Sequence, residues 1–400
     1  MAARETGHPS PATRRDLLER LARRRAERER DALLRRVRTL ASGEGATRSV
    51  DGRQLLDFAS NDYLGLARDP ALIEALVRAA RRDGVGAGAA HLLGGHREEH
   101  ALLEAELAAW TGRERALLFS TGWMANLGAI GALLEADDLC VQDRLNHASL
   151  IDAARLAGCT LKRYVHGDVA SAARQLAAQG DVAALIATDG VFSMDGDIAP
   201  LRELAALARA EGAALMVDDA HGLGVLGTRG AGSVAEAGLS QNDVPVLMGT
   251  LGKALGTAGA FVAGSATLID GLVQQARSFV YTTAMPPALA AATRVALAIA
   301  RDDADRRERL HARIAQFRAG TAARGIALMD SRTAIQPVMV RDSARALGLS
   351  RQLEEAGFFV PAIRPPTVPA GQARLRVTLS AIHGETDVER LLDALAEHMR

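Results

Sequence analysis

A chain of 400 residues is longer than one hydrophobic core usually organises, so a large domain and a smaller one are expected. It is 48% hydrophobic, which excludes a disordered chain, and its 48 basic residues balance 48 acidic ones, which excludes a global field for nucleic acid. No run reaches the roughly eighteen apolar residues of a membrane span, the first residues lack an apolar signal core, and Cys140 and Cys159 are too few for a disulfide framework, which together point to the cytoplasm.

Along the chain, residues 14–38 carry Leu17, Leu21, Leu33, Leu34 and Val37 at roughly helical spacing among interleaved charges, which predicts an amphipathic helix with a solvated face. Residues 42–52 read as a Gly-rich connector, 54–58 as a short strand, and 71–82 and 98–110 as helices. Short apolar runs at 116–119, 139–142, 183–188, 214–218, 244–248 and 260–263 alternate with helix-like segments such as 127–134 and 201–211. That alternation predicts βαβ units and a mostly parallel sheet covered on both faces. Pro286 and Pro287 then open a long helical stretch, 288–319, expected to connect the domains. Strands at 335–340, 358–363 and 375–379 with helices at 344–355 and 386–399 complete a smaller α/β unit. The expected division is a helical segment and connector (1–55), a large domain (56–287) and a connecting helix with a small C-terminal domain (288–400).

Two literal motif matches have plainer explanations. Gly84, Gly86 and Ala89 satisfy a dinucleotide-binding pattern, but a helix-like segment precedes them where a strand is required. His96-Arg97-Glu98-Glu99-His100 satisfies H-x-x-E-H, yet no third zinc ligand announces itself downstream. Polar residues in a helix's first turn account for it.

Three other segments converge on one chemistry. Asp218, in Val217-Asp218-Asp219-Ala220-His221-Gly222, ends an apolar strand, where ligands of such sheets bind. A carboxylate there suits the pyridine nitrogen of pyridoxal 5′-phosphate (PLP), whose protonated ring is an electron sink. Lys253 lies in Gly249-Thr250-Leu251-Gly252-Lys253-Ala254-Leu255-Gly256, after another strand, in a chain whose basic residues are nearly all Arg. Arg cannot form a Schiff base. Ser120-Thr121-Gly122-Trp123-Met124-Ala125-Asn126 leaves a strand for a helix, where small residues expose amides to a phosphate.

The chain resembles the α-oxoamine synthases of the PLP fold type I superfamily from about Leu33 onward. The resemblance is carried by Ser60-Asn61-Asp62-Tyr63-Leu64-Gly65-Leu66, Asp143-Arg144-Leu145-Asn146-His147-Ala148-Ser149, Asp189-Gly190-Val191-Phe192-Ser193-Met194-Asp195-Gly196 and Tyr281-Thr282-Thr283-Ala284-Met285-Pro286-Pro287. It implies a large, mostly parallel α/β sheet domain of the seven-stranded type with helices on both faces, a smaller C-terminal α/β domain, PLP as cofactor, and a homodimer with shared active sites.

By the same resemblance, Lys253 holds the cofactor covalently and is the acid/base at the substrate's α-carbon. Asp218 pairs with the pyridine nitrogen, His147 stacks on the ring and His221 bonds its phenolic oxygen. Gly122, Trp123, Ser193 and Thr250 line the cofactor, and Thr282 reaches the phosphate from the other subunit. Asn61 and Arg364 hold the amino-acid carboxylate. Arg35 and Thr367 contact the acyl substrate, with Arg36 a rival register for Arg35. The segment Ala362-Ile363-Arg364-Pro365-Pro366-Thr367-Val368-Pro369-Ala370-Gly371 is similar to the members that condense L-alanine with a pimeloyl thioester, on acyl carrier protein or coenzyme A. The alternative is a member using glycine or serine with another thioester. Trp123, His91 and Asp189 depart from common family residues, which bears on acyl specificity rather than on reaction type.

Overall fold

The computed structural model describes residues 16–399 apart from Ala32, Arg36 and Asp181. Its strands are β1 (Leu40–Ser42), β2 (Thr47–Val50), β3 (Arg53–Asp57), β4 (Arg115–Phe119), β5 (Leu139–Asp143), β6 (Thr160–Tyr164) and β7 (Ala184–Asp189). They continue with β8 (Ala214–Asp218), β9 (Val246–Thr250), β10 (Ala260–Gly264), β11 (Ile335–Arg341), β12 (Phe358–Phe359), β13 (Ala362–Ile363) and β14 (Ala373–Thr378).

The main sheet has seven strands in the order β4-β10-β9-β8-β7-β5-β6. From β9 to β6 every neighbouring pair is parallel, while β10 runs antiparallel to both β4 and β9. Burial explains why these strands read as apolar runs: a sheet covered on both faces gives neither side of a strand to water. In β8, Met216 packs into a core with Leu117, Cys140 and Met248 and the helix Gly122–Leu133. Its neighbours Leu215 and Val217 point into the opposite core, with Val141, Ile186 and the helix Leu201–Ala210.

Strand β5 has β6 on one side and β7 on the other, so the chain changes direction across the sheet there. Crevices outside the carboxyl ends of strands at such a switch are where α/β sheets bind ligands. Asp143, Asp189, Asp218 and Thr250 are the last residues of β5, β7, β8 and β9, all on that edge.

Elsewhere the expectations need correction. The first helix is Leu17–Arg30 and buries no residue, so Leu33 and Leu34 lie beyond its end. Residues 42–52 are no mere connector, because β1 and β2 pair antiparallel there and β2 pairs with β3. The expected helix 288–319 is broken into Pro287–Asp302 and Ala304–Ala323; Asp303 leaves helical geometry (ψ 84°) and accepts the Arg306 amide at 2.9 Å as a new N-cap. The expected strand 358–363 splits at Val360-Pro361. Its first half, β12, pairs parallel with β3, and its second, β13, pairs antiparallel with β14.

The chain from Asp57 to Tyr63 is bound to the end of the C-terminal sheet. The Thr378 and Ala381 amides donate to the carbonyls of Phe58 and Tyr63, both at 2.8 Å, and His383 Nε2 bonds the Asp57 carbonyl at 3.0 Å. That fastening places Asn61 over the carboxyl edge of the main sheet.

Candidate active site

Neighbouring residues of a strand alternate in direction, and this separates the two adjacent aspartates. Asp218 turns into a cavity of about 420 Å³ at the sheet's carboxyl edge. It accepts the Asn126 side-chain amide at 2.8 Å and the Ala220 backbone amide at 3.1 Å. Asp219 turns away and accepts both the amide and the hydroxyl of Ser233, at 2.7 Å each. A Cβ on Gly222 or Gly232 would stand about 2.1 or 2.0 Å from the Asp219 carboxylate, so glycine at those positions is a packing requirement. Burial raises Asp219 to about 7. Its task is to hold the loop rather than to meet a ligand.

Lys253 enters the same cavity, and its Nζ donates to Thr250 Oγ1 at 3.1 Å. Burial lowers the amine below its ordinary value, against the pull of the Asp218 and Asp189 carboxylates. His221 is beside it, lowered well below the usual imidazole range by burial and then by Lys253. A chain of bonds fixes that ring. His221 Nδ1 is 2.6 Å from the Tyr63 hydroxyl, which is 3.3 Å from Asn61 Oδ1, and Arg376 Nη2 donates to the same Asn61 oxygen at 3.2 Å. Arg376 also donates to the Ser193 carbonyl at 2.7 Å and to Thr378 Oγ1 at 2.9 Å, and is itself buried.

His147 caps the helix Ala148–Ala157 and donates its backbone amide to Asp189 at 2.9 Å. Burial first, then Asp218, raises Asp189 well above the carboxylate range. The Asn126 amide that bonds Asp218 also donates to Ser149 Oγ at 2.8 Å, and Ser149 Oγ lies 2.6 Å from His147 Nδ1. One buried amide thus ties the carboxylate to the imidazole. Trp123 meets the His147 ring edge-on, with centroids 5.9 Å apart at 77°.

Trp123 and Gly122 begin the helix Gly122–Leu133, whose N-cap Thr121 accepts the Met124 amide at 3.2 Å. A side chain at Gly122 would bring Cβ to 2.8 Å from Thr250 Cγ2. Glycine there keeps the helix's first amides open to an anion.

The cavity therefore gathers Lys253, Asp218, His221, His147, Gly122, Trp123, Ser193, Thr250 and Asn61. Arg35 and Thr367 line an adjoining cavity of about 630 Å³, which shares His147, Ser193 and Met194 with the first. Arg36 lies outside the described residues. Thr282 lines neither cavity of its own chain. Arg364 lines neither as well, and burial together with the neighbouring Arg35 lowers its guanidinium. The guanidinium inside the first cavity, with Asn61, is that of Arg376. Sequence reasoning gave no role to Arg376, Asn126, Ser149 or Tyr63. The available signal was that Asn126, Ser149 and Tyr63 stand in the segments that carry the chemistry and the resemblance, and that Arg376 is one of two charges in strand β14.

A third histidine, His166, joins the end of β5 to the loop after β7. His166 Nδ1 bonds Asp143 at 3.0 Å and its Nε2 bonds Asp197 at 2.9 Å, with Phe192 edge-on at 4.5 Å. Burial opposes the charge, but the two carboxylates hold His166 up at about 10. Because this exceeds the ordinary 6.5, the stabilisation is fully present below pH 6.5 and is lost as pH rises through 10. His166→Gln is expected to lower unfolding stability by about 1.5–3 kcal/mol near neutrality. Denaturant titrations of both proteins should show the gap closing above pH 10; a gap independent of pH would deny the charge its part.

Residues 53–395 match the family described as aminotransferase class I and II. A variant of serine palmitoyltransferase from S. paucimobilis, solved with bound PLP, superposes with TM-score 0.91 at 28% identity, covering 96% of this chain and 98% of that one. The 8-amino-7-oxononanoate synthase of Thioalkalivibrio sulfidiphilus is 57% identical over 387 residues, 96% of this chain and 98% of the relative. The crystal structure of the Francisella tularensis 8-amino-7-oxononanoate synthase matches with TM-score 0.76 and 30% identity, over 86% of this chain and 98% of that one. The chain belongs to the class I and II aminotransferase family and, within it, to the 8-amino-7-oxononanoate synthases.

Proposed function

We propose that this protein condenses L-alanine with a pimeloyl thioester, carried on acyl carrier protein or coenzyme A, to give 8-amino-7-oxononanoate, carbon dioxide and the free thiol. The observation that carries the reading is the meeting of Lys253, Asp218 and His221 in one cavity of a chain 57% identical to a synthase of that name. The cavity fits PLP: an amine for its aldehyde, a carboxylate for its ring nitrogen and open helix amides beside a required glycine for its phosphate. When bound, PLP supplies an electron sink for the carbanion that forms at the amino acid's α-carbon.

The remaining work falls to side chains of this protein. Lys253, lowered by burial, is able to exist as the neutral amine that accepts the α-proton and later returns one. Asp218, held by Asn126 and Ala220, presents a carboxylate to the pyridine nitrogen. Asn61 and Arg376 line the cavity where an amino-acid carboxylate needs a charge-assisted partner, while Arg364, which the family resemblance assigns to the same carboxylate, lies outside that lining. The α-carbon forms a bond to the thioester carbonyl, the thiol leaves, and the resulting β-keto acid loses the alanine carboxylate as carbon dioxide. The second cavity, with Arg35 and Thr367, is placed to take the acyl chain.

A homodimer with shared sites is part of this proposal, supported by the position of Thr282 outside the cavities of its own chain. Free, buried Cys140 and Cys159 suit a reducing cytoplasm, and among the described residues no helix is long and apolar enough to cross a membrane.

PLP-loaded protein should be incubated with pimeloyl thioester and either L-alanine, glycine or L-serine, and the products read by mass spectrometry. Product from alanine alone is the expected result. Preference for glycine or serine, or inertness of the pimeloyl group, would overturn the substrate assignment. Arg376→Lys keeps the charge but loses the planar fork. It is expected to raise KM for L-alanine at least about tenfold, the worth of roughly one charge-assisted bond, with a smaller effect on kcat. An unchanged KM would move the carboxylate site elsewhere.

A further inference from the structure

The H-x-x-E-H sequence has no part in the chemistry above, yet the fold brings a third imidazole to it from upstream. His91 opens the 3-10 turn His91–Leu93, His96 follows the tight turn at Gly94 and Gly95, and His100 lies in the first turn of the helix Glu98–Thr111. Their ring centroids form a nearly equilateral triangle, with sides of 5.2, 5.3 and 5.5 Å. One ring nitrogen from each lies within 4.8 Å of the other two. We propose that His91, His96 and His100 form a binding site for a borderline divalent transition cation of the zinc class, separate from the PLP cavity.

The chemistry of the donors favours this. Neutral imidazole is the form that coordinates, and nitrogen-rich sets suit zinc and its neighbours in the first transition row. His91 and His96 turn Nδ1 toward Nδ1 at 2.9 Å, so a single proton separates two lone pairs aimed at one point. Moving that proton to the distal nitrogen of its own ring frees both for a cation. His96 has a partner ready on its other side: Glu104 carboxylate lies 3.7 Å from Nε2, in the position of the carboxylate that orients a ligating histidine. His91 and His100 are buried, which disfavours the charged form of both rings.

His100 sets the cost. Its Nε2 bonds the Met285 carbonyl at 2.8 Å and its Nδ1 accepts the Arg97 amide at 2.9 Å, so ligation requires it to give up one of them. The three nitrogens must also draw in to about 2.0–2.1 Å from a common ion. His96 can supply that movement, being exposed and carried on a glycine turn. With three protein ligands the fourth position stays open to water. Bound there, the ion would pin the turn after Gly88 to the segment beginning at Phe279, which stacks on His91 at 4.8 Å and whose Ala284 amide bonds the Ala89 carbonyl at 3.0 Å.

The test uses untagged, PLP-loaded full-length protein freed of metal with a chelator. Zn²⁺ alone is titrated by calorimetry, and Co²⁺ by its ligand-field absorption. The expected result is one saturable ion per chain, with a cobalt spectrum of low coordination number. His96→Gln, at an exposed position that does not threaten folding, should weaken binding by at least about tenfold, as should His91→Asn. Absence of saturable binding would overturn the proposal, and so would binding that neither substitution changes, since the ion would then sit elsewhere.

Discussion

Lys253→Ala is expected to lose turnover by at least about a thousandfold while remaining folded. The position ends in a cavity, and its Nζ makes a bond to Thr250 Oγ1, so truncation removes little packing. On the proposed assignment, what disappears is the covalent attachment of the cofactor and the base that moves the α-proton, and positioned acid–base catalysis alone is worth about 10²–10⁴-fold. No neighbour is arranged to substitute. His221 is committed to Tyr63 and His147 to Ser149 through Nδ1. Product formation should be followed by mass spectrometry and folding by circular dichroism. A folded variant that keeps more than about one per cent of turnover would show that another group carries the proton.

Asp218→Asn isolates charge from shape. Asparagine keeps the size of the side chain and one of the two oxygens, so either the Asn126 or the Ala220 amide keeps its acceptor and the other loses it, a local cost the fold should survive. The negative charge proposed to face the ring nitrogen is gone, and removal of one preorganised electrostatic partner costs about 10²–10³-fold in rate. The measurement is exchange of the α-proton of L-alanine in heavy water, followed by NMR without any thioester. Exchange slowed by about that factor is expected. An unaltered rate would mean that another group keeps the ring nitrogen protonated.

Much of this was legible in the amino-acid order, for identifiable reasons. The central strands are covered on both faces, so β8 and β10 stand out as continuous apolar runs. β6 does not, because it forms the edge of the sheet and alternates Leu161, Lys162 and Arg163 at half-buried positions. β1 was hidden by its length of three residues, and β2 by the polar side chains of Thr47, Arg48 and Ser49. The break at Asp303 did leave a trace, since Ala304 is the one apolar residue between Ala300 and Leu310, but two helix-forming segments flank it and read as one.

The site divides in the same way. Lys253 and Asp218 were recognisable because glycines and a preceding strand mark them locally. The family resemblance named Arg364 for the carboxylate, whereas the cavity itself contains Arg376. A guanidinium inside an apolar strand looks half-exposed until the loop from Ser193 supplies the carbonyl that satisfies it. Asn126 and Ser149 gain meaning only through each other, since their bonds span 23 residues to one another and 92 from Asn126 to Asp218.

Strand β14 reaches the loop after β7 twice: Arg376 bonds the Ser193 carbonyl, and fully buried Arg374 pairs with Asp195 at 2.6 Å. Breaking a buried pair of that kind strands a charge and costs about 3–5 kcal/mol. The two segments are therefore one structural unit, although about 180 residues separate them. Anyone exchanging the C-terminal third between relatives to alter acyl preference would have to transplant the Ser193–Asp195 loop with it. A graft that carried one half alone would misplace the wall common to both cavities.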